Sequence, residues 1–440
     1  LIQQMDPQSV AYNMPACISI SGHIDMERLE KAYQEILNRH EILRTSFVVE
    51  NGELLQKIEK EVKAVISYEE NETATEQELS EQFVKAFELD KPPFVRVKLI
   101  RRSSGDIVLF DMHHIISDGM SENIFIREFN ELYSGKILGD LPCQYKDYSE
   151  WMRTRDMGGQ EEYWKSEFSD EIPVLDLPTD YSRPQNQSTE GATLRYRINR
   201  SIWKNIKKLS VATGATEYMI FLAAFMVTLS KYSRQEDIVV GSPISGRTHR
   251  DTESMLGMFV NTLAMRGRPE KNKSFKEFLD EIRNTCLKAY ENQEYPFEEL
   301  VEKLDIRRDA SRNPLFDVLL VMQNNDQTAL SIDGMTANIT EIEYKQAKFD
   351  LSIEVATSDE GYDIALEYCA ELFKAETAER FYRHMETVIK EVTENPELKI
   401  AEIPMITKEE KTKIFDVFNA SDYTNDSRTA VEMFEEEVKK

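Results

Sequence analysis

The stretch DMHHIISDGMS at Asp111–Ser121 carries two adjacent histidines followed by an Asp-Gly pair. It comes directly after the β-branched and apolar run Ile107–Phe110, which predicts a strand that leads into a tight loop. Loops at the ends of rigid strands commonly hold reactive side chains. We therefore predict that the chemistry of this chain lies at residues 111–121.

His114 is the candidate proton acceptor of this stretch, because an unperturbed imidazole has a pKa near 6.5. Gly119 is expected to give the loop a backbone angle that other residues avoid. Asp118 either orients the imidazole or holds the loop. A single histidine four residues before an aspartate arises often by chance, whereas a doubled histidine with Asp-Gly at a strand end is more specific.

The composition limits the size and the partners of the protein. A chain of 440 residues is too long for one hydrophobic core, so two or three globular units are expected. Its 54 basic and 80 acidic residues give a formal net charge of −26. This charge repels nucleic acid and anionic membranes and argues against either as the main partner.

The cysteines predict neither a disulfide framework nor a zinc site, because Cys17, Cys143, Cys286 and Cys369 are scattered without metal-ligand spacing. A reducing cytoplasm fits this pattern. A zinc or structural role for the histidine pair is disfavoured, since the other histidines show no ligand-like spacing either. The longest apolar run, Tyr218–Leu229, is about half the roughly 20 residues of a membrane span and predicts a buried helix. Since Leu1 is not an initiator methionine, we expect the chain to be cut from a longer protein.

Predicted strands and helices alternate along the chain, which favours an α/β layer architecture. A strand at Ala16–Ser21 precedes a helix capped by Asp25, and Asn51-Gly52 predicts a hairpin turn. Residues 172–191 hold three prolines among polar residues and are the best domain boundary. The second half repeats this alternation, although no sequence repeat is evident.

Three further features have more than one interpretation. His40 and Arg44 follow a predicted helix and are either functional residues or a helix-end cation and a buried ion pair. The aromatic residues of Tyr145–Trp151 are more typical of packing than of a ligand site. Arg247 is a candidate partner for Asp118, because a carboxylate near buried strands needs a cation.

Six segments resemble, in order, the motifs of the condensation domain of nonribosomal peptide synthetases, relatives of chloramphenicol acetyltransferase. The segment His113–Gly119 matches HHxxxDG. The other segments are Arg39–Phe47 (RHExLRTxF), Leu256–Arg266 (GxFVNTxxxR), Asn292–Glu298 (xQxxPFE), Arg308–Leu315 (RDxSRNPL) and Tyr145–Trp151 (YxDFAxW), the last of which matches less closely. The family's first motif, SxAQxRLW, would lie just before Leu1.

The resemblance implies two chloramphenicol acetyltransferase-like lobes, each a mixed β-sheet with helices, arranged as a V around a central tunnel. The N-terminal lobe would span residues 1–175 and the C-terminal lobe residues 176–407. Residues 408–440 are similar to the linker and the start of a downstream adenylation domain.

The resemblance also implies the reaction. Upstream and downstream peptidyl carrier domains would dock at opposite tunnel mouths, and each would insert a phosphopantetheine arm, with no cofactor bound covalently to this domain. The upstream arm would bring an aminoacyl or peptidyl thioester, and the amine on the downstream arm would attack it. The core motif, Met258 and Arg308–Leu315 resemble the subtype that takes an L-configured donor.

By the same resemblance, His114 is the catalytic residue, His113 packs, and Asp118 pairs with Arg247 or, as the second choice, with Arg266. The backbone N–H of Gly119 is the candidate oxyanion donor. Tunnel-lining candidates are Ser117, Met120, Asn261 and Arg44, with strand bracing as the alternative for Asn261.

Three other functions remain open. A free-standing acyltransferase would use the same His-x3-Asp chemistry on soluble acyl thioesters and an alcohol, but the adenylation-like tail argues against it. A non-catalytic relative that recruits partner proteins would usually lose the motif, which is intact here. An epimerising relative also carries HHxxxDG, although the segments around Asn261 and Asn313 fit condensation better.

Overall fold

The described residues form two β-sheets covered by helices and one separate hairpin. The computed structural model describes residues 7–304, 306, 309–323, 329–340, 342, 345–358, 360–418 and 428–440. The strands are β1 (Asn13–Ile20), β2 (Thr45–Glu50), β3 (Glu53–Ile58), β4 (Ile66–Glu70), β5 (Val95–Arg102), β6 (Gly105–His113), β7 (Gly191–Arg197), β8 (Ile238–Ile244), β9 (Asn261–Gly267), β10 (Val318–Gln323), β11 (Ala337–Thr340), β12 (Leu351–Ser358) and β13 (Gly361–Cys369). The helices are α1 (Met26–Arg39), α2 (Glu76–Phe83), α3 (Gly119–Tyr133), α4 (Tyr145–Thr154), α5 (Gly158–Glu167), α6 (Arg200–Thr213), α7 (Glu217–Ser233), α8 (Phe275–Glu291), α9 (Phe297–Lys303), α10 (Ala375–Glu394), α11 (Lys408–Thr412) and α12 (Ala430–Lys439).

The two sheets confirm the predicted mixed α/β fold class. The first sheet has the strand order β11-β1-β6-β5-β4, and β6, which ends at His113, lies at its centre. The second sheet has the order β7-β13-β12-β10-β8-β9 and combines parallel and antiparallel pairs. The V-shaped arrangement of the lobes and the tunnel between them stay predictions.

The helix cap, the hairpin turn and the apolar helix form where the sequence predicts them. Asp25 caps α1 by accepting the backbone N–H of Arg28. Asn51 and Gly52 both have positive φ, which the tight turn between β2 and β3 requires. The apolar run at 218–229 forms the buried centre of α7, as predicted.

Strand β11 links the second half of the sequence to the first sheet, while the division into lobes at residue 175 stays a prediction. It comes from the second half of the sequence, but it pairs antiparallel with β1 at the edge of the first sheet. Without this strand, β1 would expose a row of unpaired backbone groups. Its four residues are too short a segment to give a strand signal of their own.

Some predictions fall outside the described residues, namely those at Leu1, Arg308 and 419–421. No single helix of the described part is long and apolar enough to cross a membrane. Helices α6 and α7 meet the length and composition criteria only when they are taken as one pair, and the chain bends by 107° between them.

Candidate active site

His114 is held by two hydrogen bonds where β6 ends, one from its backbone and one from its imidazole ring. Residues His114–Ile116 form a 3₁₀ turn, and the N–H of His114 donates to the Tyr12 carbonyl at 2.8 Å. Nδ1 lies 2.8 Å from the carbonyl oxygen of Ser117. Because a carbonyl oxygen only accepts, Nδ1 carries the proton and Nε2 of the neutral ring keeps its lone pair. The side chain is partly exposed, so Nε2 is the nitrogen that is left for chemistry.

The surroundings of His114 favour the neutral ring. Burial lowers the pKa of His114, and the positive charge of Lys348 lowers it further. The hydrogen bond to Ser117 and the charge of Asp118 oppose these effects without reversing them. An imidazole in this state accepts a hydrogen bond or a proton at neutral pH.

His113 is a packing residue in this geometry, in agreement with the expectation. Its ring lies edge-on to Phe87, with centroids 5.8 Å apart, and is stacked 6.4 Å from Tyr12. Its Nδ1 accepts the N–H of Ile115 at 3.0 Å. Burial lowers the pKa of His113 to about 4, so this ring is neutral at physiological pH.

Asp118 pairs with Arg247, as the sequence predicts. Its Oδ1 lies 3.0 Å from Nη2 of Arg247, and only 2% of either side chain is exposed. Asp118 also caps α3 by accepting the N–H of Ser121 at 2.8 Å. The second choice, Arg266, instead binds Asp237 and Asp170. Asp118 therefore holds the loop and does not point its carboxylate at the imidazole ring.

The Asp118–Arg247 pair is the centre of a latch between the two halves of the chain. Ser121 donates to the Gly257 carbonyl at 2.8 Å and accepts from Arg247 Nη2 at 2.8 Å. The N–H of Phe259 donates to Asp118 Oδ2 at 3.1 Å. The guanidinium of Arg247 lies 4.0 Å above the Phe259 ring. We call these five residues the latch.

Aromatic packing surrounds the latch, as predicted for the segment 145–151. Tyr145 donates its hydroxyl to the Met258 carbonyl at 2.8 Å. The rings of Tyr145 and Tyr148 contact Phe259 with centroid distances of 5.2 and 4.7 Å. These aromatic residues join helix α4 to the loop before β9.

Gly119 does not have the unusual backbone angle that was expected of it. Its φ does not lie in the left-handed region, because the residue is the first of helix α3. Gly119 is exposed, and an added Cβ would meet nothing within 4 Å. The missing side chain thus leaves open space beside the turn that carries His114. Its N–H as an oxyanion donor stays a prediction.

Two of the tunnel-lining candidates make contacts within their own half of the chain. Ser117 is fully buried, and it contributes its carbonyl oxygen to His114. Arg44 donates to the carbonyls of Leu37 at 2.9 Å and Lys60 at 3.3 Å. It thereby satisfies a carbonyl of the last turn of α1, which has no partner within the helix. These bonds fit the helix-end interpretation of Arg44, and the tunnel-lining roles of both residues stay predictions.

The ion-pair interpretation of His40 is likewise supported, since its Nε2 lies 2.7 Å from the carboxylate of Glu128 and only 1% of its side chain is exposed. Asn261 braces the polypeptide as its alternative interpretation predicts. It donates to the carbonyls of Gln293 and Tyr295 at 2.8 and 2.7 Å and accepts the N–H of Phe297 at 3.1 Å. Met120 is partly exposed in the first turn of α3, and its contact with a tunnel stays a prediction.

Sequence reasoning missed two charged residues near the site. Lys348 precedes β12 and acts on both histidines through its charge. Glu122 lies one turn after Asp118, and burial, followed by the charge of Asp118, raises its pKa to about 7. Neither residue belongs to a motif with a spacing that indicates chemistry, so only their position in the fold reveals them.

Comparisons with known proteins identify the family of this chain. A family model described as the condensation domain matches residues 1–415. Gramicidin S synthase 2 of Brevibacillus brevis is 43% identical over 448 aligned residues, which cover 100% of this chain and 10% of that protein. The chain therefore spans about a tenth of the length of this curated relative.

Two solved structures share the fold at low sequence identity. The four-domain nonribosomal peptide synthetase holo-AB3403, bound to AMP and glycine, superposes with a TM-score of 0.84 at 22% identity, over 93% of this chain and 33% of that one. The X-domain from teicoplanin biosynthesis, solved in complex with OxyB, gives a TM-score of 0.83 at 23% identity, over 91% and 93%. With the intact histidine motif and the full-length match, the chain belongs to the condensation-domain family.

Proposed function

We propose that this chain joins an upstream carrier-bound aminoacyl or peptidyl thioester to the amine of a downstream carrier-bound amino acid. The observation that carries the proposal is the state of His114: Nδ1 is committed to the Ser117 carbonyl, and Nε2 is left unprotonated on a partly exposed ring. The exposed, side-chain-free Gly119 lies five residues further along the chain, at the start of α3, and supports access by a substrate.

In the proposed reaction, the amine nitrogen bonds to the thioester carbon, the carbon–sulfur bond breaks, and the donor arm leaves as a thiol. The ammonium formed by the attack gives one proton to Nε2 of His114, and the departing thiolate takes one up. An α-amine with a pKa of about 7.7–8.0 is already roughly a tenth to a fifth neutral at pH 7. His114 thus positions the amine first and accepts its proton second.

Positioning has a large effect when both reactants are tethered. Holding two reactants in a reactive geometry lowers a barrier by about 7–11 kcal/mol in well-oriented systems. The latch supports this role because it fixes the start of α3 against the loops around β8 and β9. His113, Asp118 and Arg247 then act as structural support.

The partners proposed are two peptidyl carrier domains and an adjacent adenylation domain. The relative gramicidin S synthase 2 is about ten times longer than this match, which supports a multidomain setting. The substrates would arrive on phosphopantetheine arms, with an L-configured donor. A cytoplasmic location is part of the same proposal.

Recruitment of a partner protein is the second candidate function. It is favoured by one observation, namely that the X-domain of similar fold was solved in complex with OxyB. The ordered His114 and its free Nε2 favour catalysis, since recruitment alone requires neither.

Intact-mass analysis of the carriers tests the proposal. The chain is mixed with a donor carrier loaded with an aminoacyl thioester and an acceptor carrier loaded with a second amino acid. We expect a dipeptidyl mass on the acceptor carrier alone, and a loss of about 10²–10⁴-fold in rate for His114→Ala. His23→Ala, on a side chain that is 54% exposed, is the matched control. Product on neither carrier, or equal rates with and without His114, would remove this function. Transfer from a soluble acyl thioester to an alcohol would favour the free-standing acyltransferase.

A further inference from the structure

Asn13, on the strand beside β6, has one polar atom without a protein partner. Its Nδ2 donates to the Lys85 carbonyl at 2.9 Å and to Asp111 Oδ2 at 2.7 Å. Because a backbone carbonyl and a carboxylate only accept, the amide cannot be turned around, and Oδ1 is the atom that is left over. No described residue donates a hydrogen bond to this oxygen.

The carboxylate of Asp111, two residues before His113, has a second atom of this kind. Asn13 bonds to Oδ2, and Nη1 of Arg96 approaches the same oxygen at 3.4 Å. Within the described part of the chain, Oδ1 has no hydrogen-bond donor. Burial raises the pKa of Asp111 to about 6, against the lowering effects of Asn13, Arg96 and the Met14 N–H. Above pH 7 the group is therefore an ionised acceptor.

His113 supplies a matching donor. Its Nδ1 accepts the N–H of Ile115 at 3.0 Å, so the proton of the neutral ring is on Nε2. Nε2 is buried, and none of the described residues accepts its hydrogen. A buried donor and two buried acceptors are thus all without a partner, which is unfavourable for each of them.

The three side chains lie on one face of the first sheet. Asn13 on β1 is directly opposite His113 on β6, and such pairs have Cβ atoms about 4.5–5.5 Å apart. Asp111 is two residues from His113 on the same strand, so its side chain is on the same face. Its hydrogen bond with Asn13 brings it to the same point. Exposure is 4% for Asn13, 0% for Asp111 and 5% for His113, so bulk solvent does not satisfy these groups.

We propose that Asn13, Asp111 and His113 bind one ordered water molecule, which accepts the Nε2–H of His113 and donates to Oδ1 of Asn13 and of Asp111. One donor and two acceptors complement the oxygen and the two protons of a water, and buried waters make about three hydrogen bonds. A metal cation does not fit because Nε2–H cannot be a ligand, and an anion does not fit because two of the three atoms are acceptors.

The water connects Asp111 to the candidate catalytic histidine. It holds His113 in the tautomer whose Nδ1 accepts from Ile115, and Ile115 belongs to the turn that carries His114. Asp111 and Asn13 are therefore positioning residues for His114. This last step rests on the proposed function, whereas the water site does not.

A crystal structure of the chain, at a resolution that shows ordered waters, is the direct test. We expect one water within about 2.6–3.2 Å of Nε2 of His113 and of both Oδ1 atoms. A direct hydrogen bond from His113 to Asp111, or no water density between the three side chains, would overturn the proposal.

NMR of the chain with ¹⁵N in its six histidines is the second test. The Nε2–H of His113, assigned with the His113→Leu variant, should exchange slowly and show an Overhauser effect to water. Asp111→Asn should keep this signal, because a water also accepts from an amide, and Asp111→Leu should lose the Overhauser effect. The control is Asp106→Asn, since this buried aspartate of the same strand binds Arg101 and should not influence His113.

Two NMR results would contradict the water site. One is a His113 ring protonated on Nδ1 in the parent chain, and the other is an unchanged signal in a folded Asp111→Leu variant. The parent signal decides the question even if Asp111→Leu does not fold.

The rate of dipeptide formation on loaded carriers tests the positioning role. Asp111→Asn should retain the parent rate, and Asp111→Leu should lose up to about 100-fold per folded molecule, because the turn of His114 is displaced. A parental rate for Asp111→Leu would remove the positioning role. Because the crystal structure and the NMR signal need no turnover, a chain without condensation activity would refute the proposed function and leave the water site to its own result.

Discussion

Replacement of Asp118 by alanine should destabilise the whole chain through the latch. The carboxylate caps α3, pairs with Arg247 and accepts the N–H of Phe259, and only 2% of its side chain is exposed. Its removal leaves the Arg247 cation buried without a counterion. Breaking a buried pair on one side costs about 3–5 kcal/mol. The lost helix cap typically costs roughly 1 kcal/mol in addition.

A double-mutant cycle isolates the pair from the rest of the latch. Arg247→Met removes the cation but keeps an apolar side chain near the Phe259 ring. Since the double variant leaves no orphaned charge, its cost should fall below the sum of the two single costs by about 2–3 kcal/mol. Equilibrium unfolding in urea gives the free energy of each variant, and an unchanged slope shows that the same surface unfolds.

The control is Glu88→Gln, which breaks the exposed Lys91–Glu88 pair and should leave the midpoint of unfolding unchanged. Costs that simply add, with a coupling below about 0.5 kcal/mol, would refute the assignment of Arg247 as the counterion of Asp118.

Three further substitutions separate stability from activity. Gly119→Ala should raise the free energy of unfolding by about 0.4–1 kcal/mol, because the backbone is helical there, and should slow dipeptide formation on loaded carriers by filling the space beside His114. Glu122→Gln should stabilise the chain at pH 8 by up to about 3 kcal/mol, because the folded pKa near 7 lies above the ordinary 4.5. The cost of Glu122 begins as the pH rises through 4.5 and is complete above 7, so urea unfolding at pH 8 and pH 4.5 should show the gain nearly vanish at the lower pH. Arg44→Met should lower the free energy of unfolding by about 1–3 kcal/mol through lost hydrogen bonds to carbonyls such as that of Leu37, with an unchanged rate per folded molecule.

The features that the sequence predicts well are those with a local physical cause. The cap at Asp25, the Asn51-Gly52 turn and the apolar helix around 218–229 each follow from neighbouring residues. The Asp118–Arg247 pair is an exception, since the two residues are 129 positions apart. It was predictable because a buried carboxylate demands a cation and only a few arginines were candidates.

The features that the sequence does not predict depend on contacts between distant segments. Lys348 lies between β11, which belongs to the first sheet, and β12, which belongs to the second, and it contacts the distant Tyr12 ring. Arg44 is a different case, because a motif match assigns importance without saying whether it is structural or catalytic. Gly119 shows that a motif glycine does not always adopt the left-handed backbone angle that favours glycine.

Within the histidine motif, His114 serves the proposed chemistry and Asp118 connects the motif to the second half of the chain. This connection affects the rate of the reaction. The turn His114–Ile116 ends two residues before Asp118, and Asp118 is fixed to the loops around β8 and β9. A movement of those loops relative to α3 therefore moves the turn that carries the imidazole. Loss of Asp118 should slow the reaction at every pH through this displacement. The position of His114 thus depends on contacts made by the second half of the chain.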